Sequence, residues 1–158
     1  MLCPRLLRLS IFVFVLISGS LASARDLALV SNKSNALGAV TLSDLVKICK
    51  AQTSHWPDGK SVTLVMRAPS APEMRLVLEK IYGMSESEVA SLVVATNQAH
   101  PNNPLFLIAT SDEDLVNKVA SLPGAIGIVD VYSINSSVAV VKVAGKLPLE
   151  PGYPLHGN

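Results

Sequence analysis

Helix-start signals and short apolar runs alternate along most of this chain, and this alternation is the feature that most constrains its fold. A Ser or Thr followed three residues later by an acidic residue has the spacing of a capping box, which satisfies free N–H groups of a helix's first turn. The spacing occurs at Thr41 with Asp44, Ser70 with Glu73, Ser85 with Glu88, and Ser111 with Asp114. The sequence therefore predicts four helices.

Five apolar runs, before, between and after these helices, are predicted to be β-strands. They cover residues 26–31, 62–66, 105–109, 125–129 and 138–143. The last run is hydrophobic enough for the interior of a sheet. Strands that alternate with helices predict an α/β sheet covered on both faces.

Residues 1–24 have the organisation of a secretory signal peptide. Arg5 and Arg8 precede a mostly apolar stretch, 9–21, and the Ala-Ser-Ala at 22–24 provides a cleavage signal. The alternative is an uncleaved membrane anchor, but the apolar stretch is short for a span of about 20 residues. We expect cleavage near Ala24 and a periplasmic or secreted protein.

Basic and acidic side chains are nearly equal in number in the mature chain. Loss of the signal removes two arginines and no acid, which leaves 11 basic and 12 acidic side chains among 134 residues. Such a balance gives no reason to expect a nucleic acid or an anionic membrane surface as partner. We expect neither.

One domain is predicted over residues 25–147, because no repeat and no second boundary interrupts the pattern. Residues 148–158 contain three prolines and two glycines and are predicted to be a flexible tail. Cys49 is the only cysteine after the signal, so no internal disulfide forms. Its apolar helical surroundings predict a buried, unreactive thiol.

The strongest candidate site lies where the strand at 62–66 runs through a short loop into the second helix. Backbone N–H groups and the positive end of a helix dipole converge at such a junction, where an oxyanion can bind. We expect Arg67 to neutralise charge, Ser70 to donate its hydroxyl, and Ala71 to donate its backbone N–H. In the alternative interpretation Ser70 only caps the helix, since Glu73 already complements the dipole.

A second polar loop follows the first strand and supplies Asn32, Lys33 and Ser34. Ligands of open α/β sheets lie beyond the carboxyl ends of strands, so this loop is expected to face the same crevice as Ser70. An ordinary polar turn is the alternative. Trp56, the only tryptophan, is expected to anchor its turn to the domain rather than to stack on a ligand.

No catalytic or metal-binding pattern is present in the sequence. The three histidines stand in separate loops, and none has a second His or Cys at metal-ligand spacing. A G-x-S-x-G elbow is absent, and no nucleophile is paired with a base. We therefore expect neither an enzyme nor a metal site, and no cofactor.

Several short motifs follow one another in a familiar order. They are Asn-Lys-Ser-Asn at 32–35, the helix from Thr41, Trp-Pro-Asp-Gly at 56–59, Arg67 with Ser70, and Ser111 through Pro-Gly-Ala-Ile-Gly at 123–127. This order resembles the phosphate-type substrate-binding proteins of ABC transporters, within the periplasmic binding protein-like superfamily. The family's phosphate loop tends to read Ser-Gly-Thr, where this chain has Ser-Ala-Pro at 70–72.

The resemblance implies the fold of a single lobe of a type II periplasmic binding protein, with a mixed sheet and helices on both faces. It also implies an exported solute-binding-type protein that binds phosphate or a similar small oxyanion and is related to ABC-transporter phosphate uptake, with a permease as partner. The alternative is a single-lobe interaction module that has lost its ligand and binds another protein or a second copy of itself.

Overall fold

A computed structural model describes residues 25–157, so the predicted signal peptide lies outside the described residues. Within these residues, six strands, four α-helices and two short helical turns follow one another. In order they are β1 (Leu27–Asn32), β2 (Ala39–Val40), α1 (Leu42–Cys49), β3 (Thr63–Arg67), α2 (Met74–Val77) with a π-helical turn (Leu78–Tyr82), α3 (Glu86–Ala99), β4 (Phe106–Ala109), α4 (Asp112–Ser121), β5 (Ala125–Asp130) with a 3-10 turn (Val131–Ser133), and β6 (Val138–Val143).

The strands form one mixed sheet in the order β2-β6-β1-β5-β3-β4. β1 is antiparallel to both of its neighbours, with Leu29 opposite Ile128 on one side and Val141 on the other. The remaining neighbouring pairs are parallel. Five strands therefore finish at one end of the sheet, the Arg67 end, whereas β1 finishes at the opposite, Gly124 end.

Alternate side chains of each strand supply two cores, one on each face of the sheet. Leu29, Leu64 and Ile126 pack with buried residues of α1, α2 and α3. Val30 and Val65 point the other way and pack with α4. The period-two alternation of side chains makes both arrangements compatible with the same strands. The predicted α/β sheet with helices on both faces is confirmed.

Three of the four predicted helix starts are confirmed, and the one nearest the candidate site is wrong. Thr41, Ser85 and Ser111 each accept a hydrogen bond from the backbone N–H three residues on. The second helix begins only at Met74, and Glu73 precedes it without a side-chain cap bond. Two consecutive turns carry the chain to that point, because Ala71 N–H donates to the Ala68 carbonyl and Met74 N–H to that of Ala71.

Residues 147–157, which we call the C-terminal strap, are packed against the sheet, so the prediction of a loose tail is corrected. Tyr153 and Leu155 are buried. Leu27 N–H donates to the Leu155 carbonyl at 3.0 Å, and Gly157 N–H to that of Arg25 at 2.9 Å. Prolines and glycines exclude regular structure here but do not prevent burial of the side chains between them.

The outer edge of β4 is closed by a side chain of α3. Asn97 donates Nδ2–H to the Phe106 carbonyl at 2.9 Å and accepts the Phe106 N–H on Oδ1 at 3.1 Å. The amide thus replaces a neighbouring strand for one residue, which blunts an edge open to aggregation. This pairing uses the last turn of α3, which continues to Ala99.

Replacing Asn97 by Ala is expected to lower the free energy of unfolding by about 1–3 kcal/mol, because two hydrogen bonds are lost and a partly buried edge is left unpaired. Urea titration followed by circular dichroism measures the change. Asn102→Ala is the control, since Asn102 is exposed and its side chain bonds to no other residue within 25–157. Equal effects of the two substitutions would contradict the edge-closing role.

Candidate ligand site at the Arg67 end of the sheet

Arg67 stands at the end of β3 and is held there by carboxylates. Its Nη1 lies 2.7 Å from Asp112 Oδ1 and 3.7 Å from Glu73 Oε1. The second oxygen of Asp112 accepts the Ser133 hydroxyl at 3.2 Å. The guanidinium is therefore fixed, and its charge is already compensated by two acidic side chains, one at the start of α2 and one at the start of α4.

A groove of about 420 Å³ opens beside Arg67, between α2 and the adjacent ends of β1 and β5. Its basic lining residues are Arg25, Arg67, Arg75 and Lys80. Its acidic lining residues are Glu73, Glu79, Asp112 and Asp130. The two signs are thus equal in number, and this balance distinguishes the groove from a preformed site for a multiply charged anion.

Arg75 is the functional candidate that the sequence reasoning missed. The other three cations of the groove lie within 4.0 Å of a carboxylate, whereas Arg75 forms no ion pair with any residue that the structure describes. Arg75 lies in the helix that directly follows the candidate loop, and this position could have identified it. It is the groove's one uncompensated charge among the described residues.

Ser70 and Ala71 lie on a neighbouring depression of about 570 Å³ and not in the Arg67 groove. Arg75 borders both depressions. The Ala71 N–H donates to the Ala68 carbonyl at 2.8 Å, so the donor that the sequence predicted for a ligand is occupied. The exposed Ser70 hydroxyl makes no hydrogen bond to the described residues and is available as a donor.

Asn32, Lys33 and Ser34 lie at the opposite end of the sheet, so the expectation that they share a crevice with Ser70 is wrong. The physical reason is the direction of β1, which runs antiparallel to β5 while β3 runs parallel to it. Asn32 Nδ2–H groups donate to two carbonyls at the end of α4, and its Oδ1 accepts the Ser34 N–H. The Asn32 side chain therefore serves the fold.

Three of the motifs that carry the family resemblance meet at this Gly124 end. Gly124 N–H donates to Asn35 Oδ1 at 2.8 Å, and Trp56 Nε1–H donates to the Gly124 carbonyl at 2.8 Å. Asn35 also donates to the Ala125 carbonyl at 3.1 Å. Trp56 thus anchors its turn as predicted, and the three motifs form a joint between β1, β3 and β5.

Cys49 and the histidines of the described residues do not line the Arg67 groove. The described residues contain no group of three His, Cys, Asp or Glu side chains arranged to hold a metal ion. Cys49 is buried as predicted, and burial raises the pKa of its thiol to about 12. None of the helices within the described range has the length and apolar character needed to cross a membrane.

Solved structures of phosphate transport proteins have the fold of this chain. An ABC-type phosphate transport receptor from Vibrio cholerae matches with a TM-score of 0.69 at 18% identity, over 85% of this chain and 54% of the receptor. A phosphate ABC transporter substrate-binding protein from Clostridium perfringens, solved with bound phosphate, matches at 0.67 and 19%, over 85% and 53%. PstS from Borrelia burgdorferi matches at 0.66 and 13%, over 85% and 55%.

The chain spans about half the length of these structures. No protein-family model and no curated protein matches its sequence. At such identities the likeness establishes the fold, and the resemblance predicted from the motifs is confirmed at that level. This chain has the fold of a single lobe of a type II periplasmic binding protein, like that found in phosphate-type ABC transporter substrate-binding proteins.

Proposed function

We propose that this chain is an exported solute-binding-type protein, not a catalyst, and that it binds a small oxyanion at the Arg67 end. Phosphate is the first candidate, because the proteins that share the fold are named as phosphate receptors. The observation that carries the proposal is a guanidinium fixed at the carboxyl end of β3, at the mouth of a groove of about 420 Å³. Ligands of open α/β sheets bind at such ends.

The donors left available define how an oxyanion would be held. Asp112 engages only Nη1 of Arg67, and the Nη2 and Nε hydrogens bond to no described residue. This edge of the guanidinium has the geometry for a bidentate contact with an oxyanion. Arg75 supplies a second charge, and the Ser70 hydroxyl donates from the neighbouring loop.

Two features of the site make us expect weak binding. Glu73 lies 3.7 Å from Arg67 and must turn away before an anion approaches. The groove is open to water, which screens each contact. Lys33 and Ser34, at the Gly124 end, form no part of this proposed site, and neither do Asn32 and Ala71, whose polar groups bond within the fold.

A second candidate function is an interaction module that has lost its ligand. The observation in its favour is the same Arg67, whose charge two acids already compensate. On either function we propose export with cleavage near Ala24, and on the first a transporter permease as the receiving partner.

Isothermal titration with phosphate, and with sulfate for comparison, tests the proposal on protein purified after expression of the full chain. We expect phosphate binding that weakens about 10–100-fold in Ser70→Ala and in Arg75→Gln, as is typical for loss of a hydrogen bond to a charged group. Ser70→Ala should leave the free energy of unfolding unchanged, because Ser70 does not cap α2.

Lys33→Gln is the matched control, since Lys33 is exposed at the Gly124 end. If this variant lost affinity for phosphate and Arg75→Gln did not, the result would indicate that the anion binds at the opposite end of the sheet. Absence of heat up to millimolar phosphate would reject oxyanion binding and leave the interaction module.

A further inference from the structure

Two apolar side chains project from the Arg67 end without a partner among the described residues. Tyr132 is 83% exposed and Leu149 is 66% exposed. Both flank Asp26, whose backbone carbonyl accepts the Val131 N–H at 3.1 Å and whose carboxylate accepts the Leu149 N–H. The two side chains therefore stand on neighbouring segments around one residue. Exposed apolar groups that lie close together mark an interaction surface more often than single ones do.

Leu149 is held in a backbone conformation that leucine rarely adopts. Its φ is +72°, in the left-handed region where glycine and asparagine are common. The Asp26 carboxylate, on a residue only 4% exposed, fixes the Leu149 N–H, and a turn from Leu147 to Glu150 closes around it. A turn needs no leucine at this position. Strained residues other than glycine cluster at functional sites, and this one, on a residue that is 66% exposed, presents an apolar side chain outward.

Tyr132 is positioned as firmly as Leu149. It stands in the 3-10 turn after β5, and its N–H donates to Asp130 Oδ1 at 2.9 Å. The next residue, Ser133, bonds Asp112. A tyrosine on a fixed backbone has few torsions left to order on binding, which is why tyrosines recur as anchors of interfaces.

The charges beside these anchors favour a particular occupant. The adjoining groove has four basic and four acidic lining residues. In an isologous contact each patch meets an identical patch, so a surface of one sign would repel itself, whereas a surface of both signs complements itself. A strongly basic or strongly acidic partner gains nothing from such a surface.

We propose that a second copy of this chain covers the Arg67 end, in an isologous contact where Tyr132 and Leu149 of each copy pack against the other. Arg25 and Arg75 at the rim then face acids of the partner copy. The contact between the two copies then runs along the edge of the Arg67 groove. It depends on the two apolar anchors and on the balanced charges, and it requires no bound oxyanion.

Sedimentation velocity over a concentration series tests this inference on protein purified after expression of the full chain. We expect a reversible dimer with a dissociation constant of about 1–100 µM, as for a small interface. The double variant Tyr132→Ser, Leu149→Asn should weaken dimerisation at least about tenfold, because both anchors are removed. Asparagine accepts positive φ, so this variant keeps its fold, which its circular dichroism and unfolding midpoint will show.

Val94→Ser is the matched control, because Val94 is 55% exposed on α3. It should dimerise like the unsubstituted chain. A chain that stays monomeric at millimolar concentration overturns the inference, and so does a double variant that dimerises unchanged. Phosphate titration of the same samples separates the two proposals. Dimers without phosphate heat leave this inference standing and reject the oxyanion, whereas phosphate binding to a persistent monomer does the reverse.

Discussion

Replacing Gly124 by Ala, at a buried position between α4 and β5, is expected to lower the free energy of unfolding by about 3–5 kcal/mol. A Cβ at this position would stand 2.1 Å from the Ser61 carbonyl oxygen, and the residue's φ of +87° is strained for alanine. The obstacle is backbone, which no side-chain rotation can relieve. Urea unfolding followed by circular dichroism measures the loss.

Gly59→Ala separates the two causes of this loss. Gly59 has the same φ of +87°, but a Cβ there would have no atom within 4 Å. Only the cost of the conformation remains, about 1 kcal/mol. A similar loss in both variants would show that contact with Ser61 is unimportant. Trp56 fluorescence gives a second readout, because its indole N–H bonds the Gly124 carbonyl.

The bonds around Gly124 show which part of the fold three of the resemblance motifs form. Asn35, Trp56 and Gly124 come from three motifs far apart in sequence and bond one another at the end of the sheet away from Arg67. These three motifs therefore concern how β1, β3 and β5 are joined. They indicated the fold, whereas the motif of Arg67 with Ser70, at the other end of the sheet, is the one that bears on a ligand.

Local signals predicted most elements, whereas the direction of one strand could not be predicted. Thr41, Ser85 and Ser111 act within one helical turn, so the cap is visible in the sequence. Whether β1 runs parallel or antiparallel to β5 depends on pairing across about 100 residues, such as Leu29 with Ile128. That direction decided where the loop after Asn32 lies.

The candidate site was partly predictable for the same reason. Arg67 was found because it follows a recognisable strand. Its partner Asp112 is 45 residues away, in the first turn of α4, where an acidic side chain is favoured by the helix dipole alone. The two residues come together because β3 and β4 lie side by side, with Arg67 at the end of β3 and Asp112 shortly after the end of β4. Charge compensation across the sheet has no local signature.

Replacing Leu155 by Ala is expected to lower the free energy of unfolding by about 2–5 kcal/mol, the cost of a cavity at a fully buried leucine. Leu155 is 0% exposed, and its carbonyl accepts the N–H of Leu27 at the start of β1. The C-terminal strap therefore completes the core on this side of the sheet. Thermal or urea unfolding at low protein concentration measures the effect.

Leu149→Ala, in the same strap, is the control and should change the stability of the monomer by less than about 0.5 kcal/mol, because its side chain is mostly exposed. A flexible tail would make the two substitutions equivalent. A large loss at Leu155 alone would show that the C-terminal strap belongs to the folded core beside Arg25 and Leu27. The ends of the domain would then be held together by the same contacts that place Leu149 at the Arg67 end.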